Sequence, residues 1–217
     1  MPDFKKIEQE LQRYPISVTE EFRNASHDLE LELSAEDLDQ WATTGVDIAQ
    51  HTVRAWEAAA EYFRVSQRML KTLPFSRFLE WASLSSSLSD ASPSIAAAYI
   101  RNAPWVVSKL TLPQMEQWAQ QGLQMYRGTW KSSSLASKFF DSTPDLLEHL
   151  SFSELRQFVT FITNLSEKSY DLASECVVMS EHVFPNLTVN KGAFIALANT
   201  LVETNWRETR SYFEIVD

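Results

Sequence analysis

Large apolar residues return along this chain at steps of three and four, the spacing that gathers side chains onto one face of an α-helix. Leu38, Trp41, Gly45 and Ile48 form one such stripe, and Trp56, Ala59, Ala60 and Phe63 form the next. The pair of stripes then repeats. Residues 38–73 align without a gap on residues 115–150 at an offset of 77, sharing Gln40/Gln117, Trp41/Trp118, Ala42/Ala119, Gly45/Gly122, Thr52/Thr129, Ala59/Ala136, Phe63/Phe140, Leu70/Leu147 and Leu73/Leu150. Two weaker copies follow the same plan, with Trp81, Leu88, Ile100 and Leu110 in one and Phe158, Leu165, Val177 and Leu187 in the other, in the places of Trp41, Ile48, Phe63 and Leu73. The anchors Trp41, Trp81, Trp118 and Phe158 are therefore 40, 37 and 40 residues apart, and the closing leucines 37, 40 and 37. The distance from the anchor to the Phe63-type position alternates between 22 and 19, so the odd copies carry three extra residues between their two helices.

A period of this length built from helical stripes predicts an all-α, α-solenoid-like helical-repeat array. One domain is expected over residues 1–217: a partial unit at 1–33, units at 34–73, 74–110, 111–150 and 151–187, and a partial unit at 188–217. The flanks fit this plan, with Phe22 and Leu29 in the Phe63 and Leu70 roles and Ile195 and Val202 in the Trp41 and Ile48 roles. Each first helix opens on a capping signal: Ser34 with Asp37 three residues on, then "TLPQM" and "SFSEL". Gly45 and Gly122 lie one turn after the Trp, where a missing side chain lets another group approach closely. A short third helix is expected to close each unit, in "SQRMLKTL", "APWVVSKL", "TPDLLEHL" and "HVFPNL", with Pro104 and Pro144 in its first turn.

Composition agrees with this reading. The chain has only 4 glycines in 217 residues and no Asn-Gly or Asp-Gly pair, against the turn chemistry of a β-rich protein. A single cysteine, Cys176, excludes an internal disulfide and points to a reducing compartment. The amino-terminal residues "MPDFKKIEQELQRYP" lack the apolar run of a secretory signal, and no later stretch approaches the roughly 18 apolar residues of a membrane span, so the expectation is a cytoplasmic protein without membrane contact.

The net charge of −10 is unevenly spread. Residues 1–61 hold 14 Asp/Glu against 5 Lys/Arg, whereas residues 62–217 hold 15 against 14. That distribution disfavours nucleic acid as a partner. Glu30, Glu32, Glu36, Asp37 and Asp39 lie within ten residues with no Lys or Arg among them. They are read either as a solubilising end cap or as a docking face for a basic protein partner.

Other motifs offer less. "DASPS", Asp90 to Ser94, has the Asp-x-Ser-x-Ser form of a Mg2+ site. It follows a helical stripe, though, and fits better as a helix start with Asp90 or Ser92 as N-cap and Pro93 at N1. The histidines form no zinc-ligand spacing, Glu148–His149 and Glu181–His182 read as surface residues, and Cys176 falls on an apolar face. No metal, cofactor or catalytic residue is therefore assigned. Trp41, Trp81, Trp118 and Phe158, with Phe63 and Phe140, are expected to form the repeat core. A recognition aromatic is sought among Trp56, Trp105, Trp130 and Trp206, which share no repeat position.

Three stretches, "WATTGVDIAQHTVRAWEAAAEYFRVS", "WAQQGLQMYRGTWKSSSLASKFFDSTPDLLEHLS" and "ELRQFVTFITNLSEKSYDLASEC", carry a family resemblance through their Trp-x-x-x-Gly and Tyr/Phe-Phe positions. Over about residues 20–187 the chain resembles the amino-terminal helical repeats of bacterial von Willebrand factor A proteins of the nitric-oxide-reductase and Rubisco activation type. That resemblance implies an adaptor for a MoxR-type AAA+ ATPase. The sequence stops at Asp217 without the α/β domain of that family, so the family's metal site is not carried over, and the chain is read as an excised amino-terminal region or a free-standing relative. The functional expectation is a non-catalytic protein-interaction scaffold. The alternative is a helical enzyme or small-molecule-binding domain, which a deep apolar pocket lined by Trp56, Trp105 or Trp130 would favour.

Overall fold

The computed structural model describes residues 4–214, and among these every regular element is helical. In chain order the helices are α1 (Phe4–Leu11), α2 (Ile16–Leu29), α3 (Ala35–Gln50), α4 (Trp56–Leu70), α5 (Phe75–Ala91), α6 (Pro93–Val106), α7 (Leu112–Met125), α8 (Trp130–His149), α9 (Phe152–Lys168), α10 (Tyr170–Asn186), α11 (Lys191–Asn205) and α12 (Thr209–Glu214), with a 3-10 turn at Trp206–Glu208. Two compact units divide the chain, residues 1–119 and residues 120–217.

In the first unit, helices two apart in sequence pack together: α2 on α4, α4 on α6, α1 on α3 and α3 on α5. Alanine makes this approach possible. Ala58 and Ala59 of α4 and Ala96, Ala98 and Ala103 of α6 are all but fully buried. The second unit uses the same scheme, with α8 on α10, α9 on α11 and α10 on α12.

Trp41, Trp81, Trp118 and Phe158 are all 0 % exposed, as are Phe63 and Phe140. In the first unit the anchors are joined by aromatic contacts. Phe22 stacks on Trp41 at 5.6 Å, Tyr62 stacks on Trp81 at 6.3 Å, and Tyr99 lies 4.7 Å from Trp118. An aromatic residue of each second helix thus reaches the anchor of the following first helix. The Tyr62 hydroxyl donates to the Trp41 carbonyl, and the Trp41 indole N–H donates to Ser66 Oγ at 2.8 Å. Both buried polar groups are satisfied without leaving the core.

The two repeated glycines have a specific purpose. A Cβ at Gly45 would lie 2.2 Å from Cζ of Phe63, and one at Gly122 would lie 2.2 Å from Cζ of Phe140. The ring of the second helix therefore rests on the bare backbone of the first. In the weaker copies the partner of this pair changes in size with it: Ser85 goes with Ile100, and Ile162 goes with Val177. All four of these side chains are buried.

The caps form as expected. Ser34 accepts from the Asp37 N–H, Ser151 and Glu154 form a reciprocal capping box, and Thr111 donates to Gln114 Oε1. The three extra residues of the odd copies lie in the turns. Residues 51–55 separate α3 from α4 and residues 126–129 separate α7 from α8, whereas single residues, Ser92 and Ser169, separate the other two pairs. Both serines are extended, at φ −164° and −158°, which reverses the chain in one step.

The expected third helix is not separate. "SQRMLKTL", "APWVVSKL", "TPDLLEHL" and "HVFPNL" continue α4, α6, α8 and α10, and Pro104 and Pro144 lie inside helices. Proline in a helix interior costs about 3 kcal/mol. The buried stripe stays in phase across each proline, from Ile100 and Ala103 to Val106 and from Phe140 and Thr143 to Leu146. Burial of those side chains, at about 1.5–3 kcal/mol for each large one, outweighs the break. The flanks are fuller than expected at the amino end, where α1 precedes α2 and sets Phe4 against Phe22 at 5.6 Å. Phe22, Leu29, Ile195 and Val202 are all buried.

Two stability outcomes follow. Gly45→Ala gains about 1 kcal/mol of helix propensity but must displace the Phe63 ring, so a net loss of about 1–3 kcal/mol is expected. Adding Phe63→Ile should recover part of that loss; a double variant as destabilised as the sum of the singles in urea unfolding would refute the contact. Trp118→Ala should cost about 3–5 kcal/mol and the half-buried Trp206→Ala clearly less, so equal denaturation midpoints would contradict the assigned core.

Candidate functional site

The acidic segment lies at the turn between α2 and α3. Glu30 caps the carboxyl end of α2, and Asp37 is part of the fold: its N–H donates to Ser34 Oγ at 3.1 Å while the Ser34 hydroxyl donates to its carboxylate at 2.8 Å. The other four carboxylates, Glu30, Glu32, Glu36 and Asp39, are exposed, and none pairs with a cation among the described residues. Leu31, set between two of them, is 87 % exposed. The structure thus separates one structural carboxylate from four that face solvent beside an exposed leucine.

The non-repeated tryptophans do not converge. Trp105 is 55 % exposed on α6 beneath the Arg68 guanidinium, which sits 4.0 Å over its ring. Trp130 opens α8 and is 77 % exposed, while Trp56 and Trp206 are half-buried. Open grooves run along the surface, and none of the following is lined by tryptophan among the described residues. One of about 450 Å³ lies between α9 and α11 against Gln157, Thr160, Gly192, Ile195 and Asn199. Another, of about 560 Å³, is lined by Lys138, Asp171, Glu175, Val178 and Arg210. The third, of about 270 Å³, is lined by Arg77, Glu80, Leu84, Leu112 and Glu116.

The remaining motifs resolve locally. In "DASPS", Asp90 belongs to the last turn of α5, Ser92 is the N-cap position of α6 and Pro93 is its first residue. The Asp90 carboxylate faces His51 at 3.7 Å, and Ser92 Oγ meets Ser94 Oγ at 3.0 Å. No group of three His, Cys, Asp or Glu is placed to hold a metal ion among the described residues. His149 and His182 are on the surface, and the Glu181 carboxylate accepts from the Ser142 hydroxyl.

Sequence reasoning missed a cationic surface in the first unit. Arg64 and Arg101, on α4 and α6, both bind the Glu61 carboxylate, the second at 3.4 Å. Burial holds that carboxyl above the ordinary range even though both guanidiniums pull it down. Residues 62–110 carry 6 Lys/Arg against 2 Asp/Glu, a local excess that the chain-wide count concealed.

Cys176 is buried on α10, and burial pushes its thiol up to about 12. The thiolate is the reactive form, so a disulfide reagent at pH 8 should leave the native protein unlabelled and react only after unfolding. Labelling of the native protein at the rate of a free thiol would contradict this burial.

No described helix is long and apolar enough to cross a membrane. No family model, curated protein or solved structure matches this chain, so its function must be argued from the geometry above.

Proposed function

We propose that this chain is a non-catalytic protein-interaction scaffold, a helical-repeat array that docks a basic partner on its acidic corner. The observation that carries the reading is the set of four exposed carboxylates around Leu31, which no cation of the described residues offsets. Like charges this close oppose folding. A soluble cap could use mixed signs, whereas acidity of one sign suits long-range steering of a basic partner. Leu31 offers the apolar contact that steering alone lacks.

The packing supports the same reading. Helices two apart in sequence bury one another's small and aromatic residues, which leaves the outward positions free to vary. The resemblance to the amino-terminal repeats of von Willebrand factor A activation proteins names a candidate partner, a MoxR-type AAA+ ATPase, with this chain as the adaptor.

Affinity capture from the native host with the unmodified chain and with a Glu32→Lys, Glu36→Lys, Asp39→Lys variant tests the reading. The captured protein is expected to be lost with the variant, and its association with the variant to be at least about tenfold slower at low salt, because steering acts on the association rate. Circular dichroism should show the same helix content in both. A rate independent of salt, or one unchanged by the reversal, would refute the acidic corner as the docking site. Capture of a corner-dependent partner that is not an AAA+ ATPase would remove only the MoxR assignment.

A further inference from the structure

One face of α11 departs from the pattern of the other first helices. Immediately after Trp41, Trp81, Trp118 and Phe158 come Ala42, Ala82, Ala119 and Val159, which are 0 %, 1 %, 3 % and 2 % exposed. Ile195 aligns with those anchors, but the residue after it, Ala196, is exposed on the wall of the open groove that α11 shares with α9. The next position holds exposed polar residues in the other helices, Thr43, Ser83, Gln120 and Thr160, whereas α11 places Leu197 there, 52 % exposed. Ala193 and Thr200, one turn to either side, are exposed as well. α11 thus presents small residues around one leucine, the kind of surface that lets two helices approach closely.

Unpaired charges at the two ends of this surface indicate what covers it. α9 and α11 run side by side in the same direction, with Gln157 across the groove from Gly192 and Ala193 and with Asn164 Nδ2 donating to Asn199 Oδ1 at 3.1 Å. That hydrogen bond fixes an offset of 35 residues, so Arg156 of α9 stands level with Lys191 of α11. Lys191 is committed to the His149 carbonyl at 2.8 Å. Arg156 is exposed and pairs with no carboxylate among the described residues, and Glu203 of α11 is exposed and pairs with no cation among them. Glu203 lies six residues after Leu197, and Lys191 six before it. A two-fold axis at Leu197 that sets α11 antiparallel to its own copy therefore brings Glu203 of one chain to the level of Arg156 of the other, and makes the contact twice.

We propose that the chain pairs with a second copy of itself through this face. The two α11 helices cross antiparallel at Leu197, each leucine packs on the leucine and the exposed alanines of the other copy, and Arg156 of each copy takes Glu203 of the other. A purely basic or purely acidic partner would leave one of those two side chains unpaired, whereas a second copy satisfies both. The face is two helices wide and α11 is about 22 Å long. That is small for a dimer interface, so pairing is reversible, with a dissociation constant of about 1–100 μM. The surface belongs to the second unit, and the pairing does not rest on docking at the acidic corner of the first.

Sedimentation equilibrium of the whole chain over a dilution series tests the pairing. The mass is expected to rise with concentration from that of one chain towards that of two. Leu197→Glu, at an exposed position, should leave the helix content by circular dichroism unchanged and keep the chain monomeric. Arg156→Glu or Glu203→Arg alone should weaken pairing at least about tenfold, because each change acts at both symmetric contacts, and the two combined should restore it to within about threefold of the unmodified chain. Lys168→Glu, at an exposed cation of α9 level with Glu203 in the same chain, should leave it unchanged. A mass of one chain at every concentration up to about 100 μM, pairing unaffected by Leu197→Glu, dissociation by Lys168→Glu, or a charge-exchanged double variant no tighter than the single ones would overturn the proposal. If Leu197→Glu does not fold, the charge exchange decides alone.

Discussion

The fold depends on the contact between a phenylalanine ring of a second helix and the bare backbone of a glycine on the first. At Gly45 and Gly122 the ring occupies the space of a missing Cβ, which fixes how closely the two helices of a pair approach and in what rotation. Close packing transmits that constraint. With the pair fixed, the indole of Trp41 lies against Phe63 at 5.3 Å and against Phe22 of the preceding helix at 5.6 Å. Each pair thereby offers a defined apolar face to the next.

Because burial is completed between helices two apart in sequence, the chain's polar residues are left to settle between neighbours. Many of its polar contacts join positions close to one repeat apart: Arg101 to Glu61, Lys131 to Asp171, Arg127 to Glu167 and Ser142 to Glu181. Exposed pairs of this kind contribute little stability, typically below about 1 kcal/mol. Their value lies in display, since within each unit they set polar groups of packed helices beside one another at the surface. Such exposed groups suit the proposed scaffold, where a partner is recognised on an open surface rather than in an enclosed cavity.

The acidic corner and the arginines of α4 and α6 belong to the same unit, and both lie at positions that the core leaves exposed. In the corner, one carboxylate of five is used by the fold, as the hydrogen-bonded partner of the Ser34 cap. On α4 and α6, Arg64 and Arg101 both pair with the largely buried Glu61 carboxylate.

The sequence by itself determined the all-α class and named large side chains of the core. Three-and-four spacing, the recurrence of Trp41 at Trp81 and Trp118, and the alternating 22 and 19 separations are local or periodic signals, and a periodic signal survives without knowledge of the neighbour. The continuity of α6 and α8 through Pro104 and Pro144 was not legible, because local propensity ends a helix there and only the burial of Val106 and Leu146 against other helices restores it. The charge count likewise showed an acidic amino-terminal segment but hid the cationic pair of Arg64 and Arg101, which are 37 residues apart in the chain. The packing of α4 on α6 brings both onto the Glu61 carboxylate, so that surface exists only in the tertiary structure.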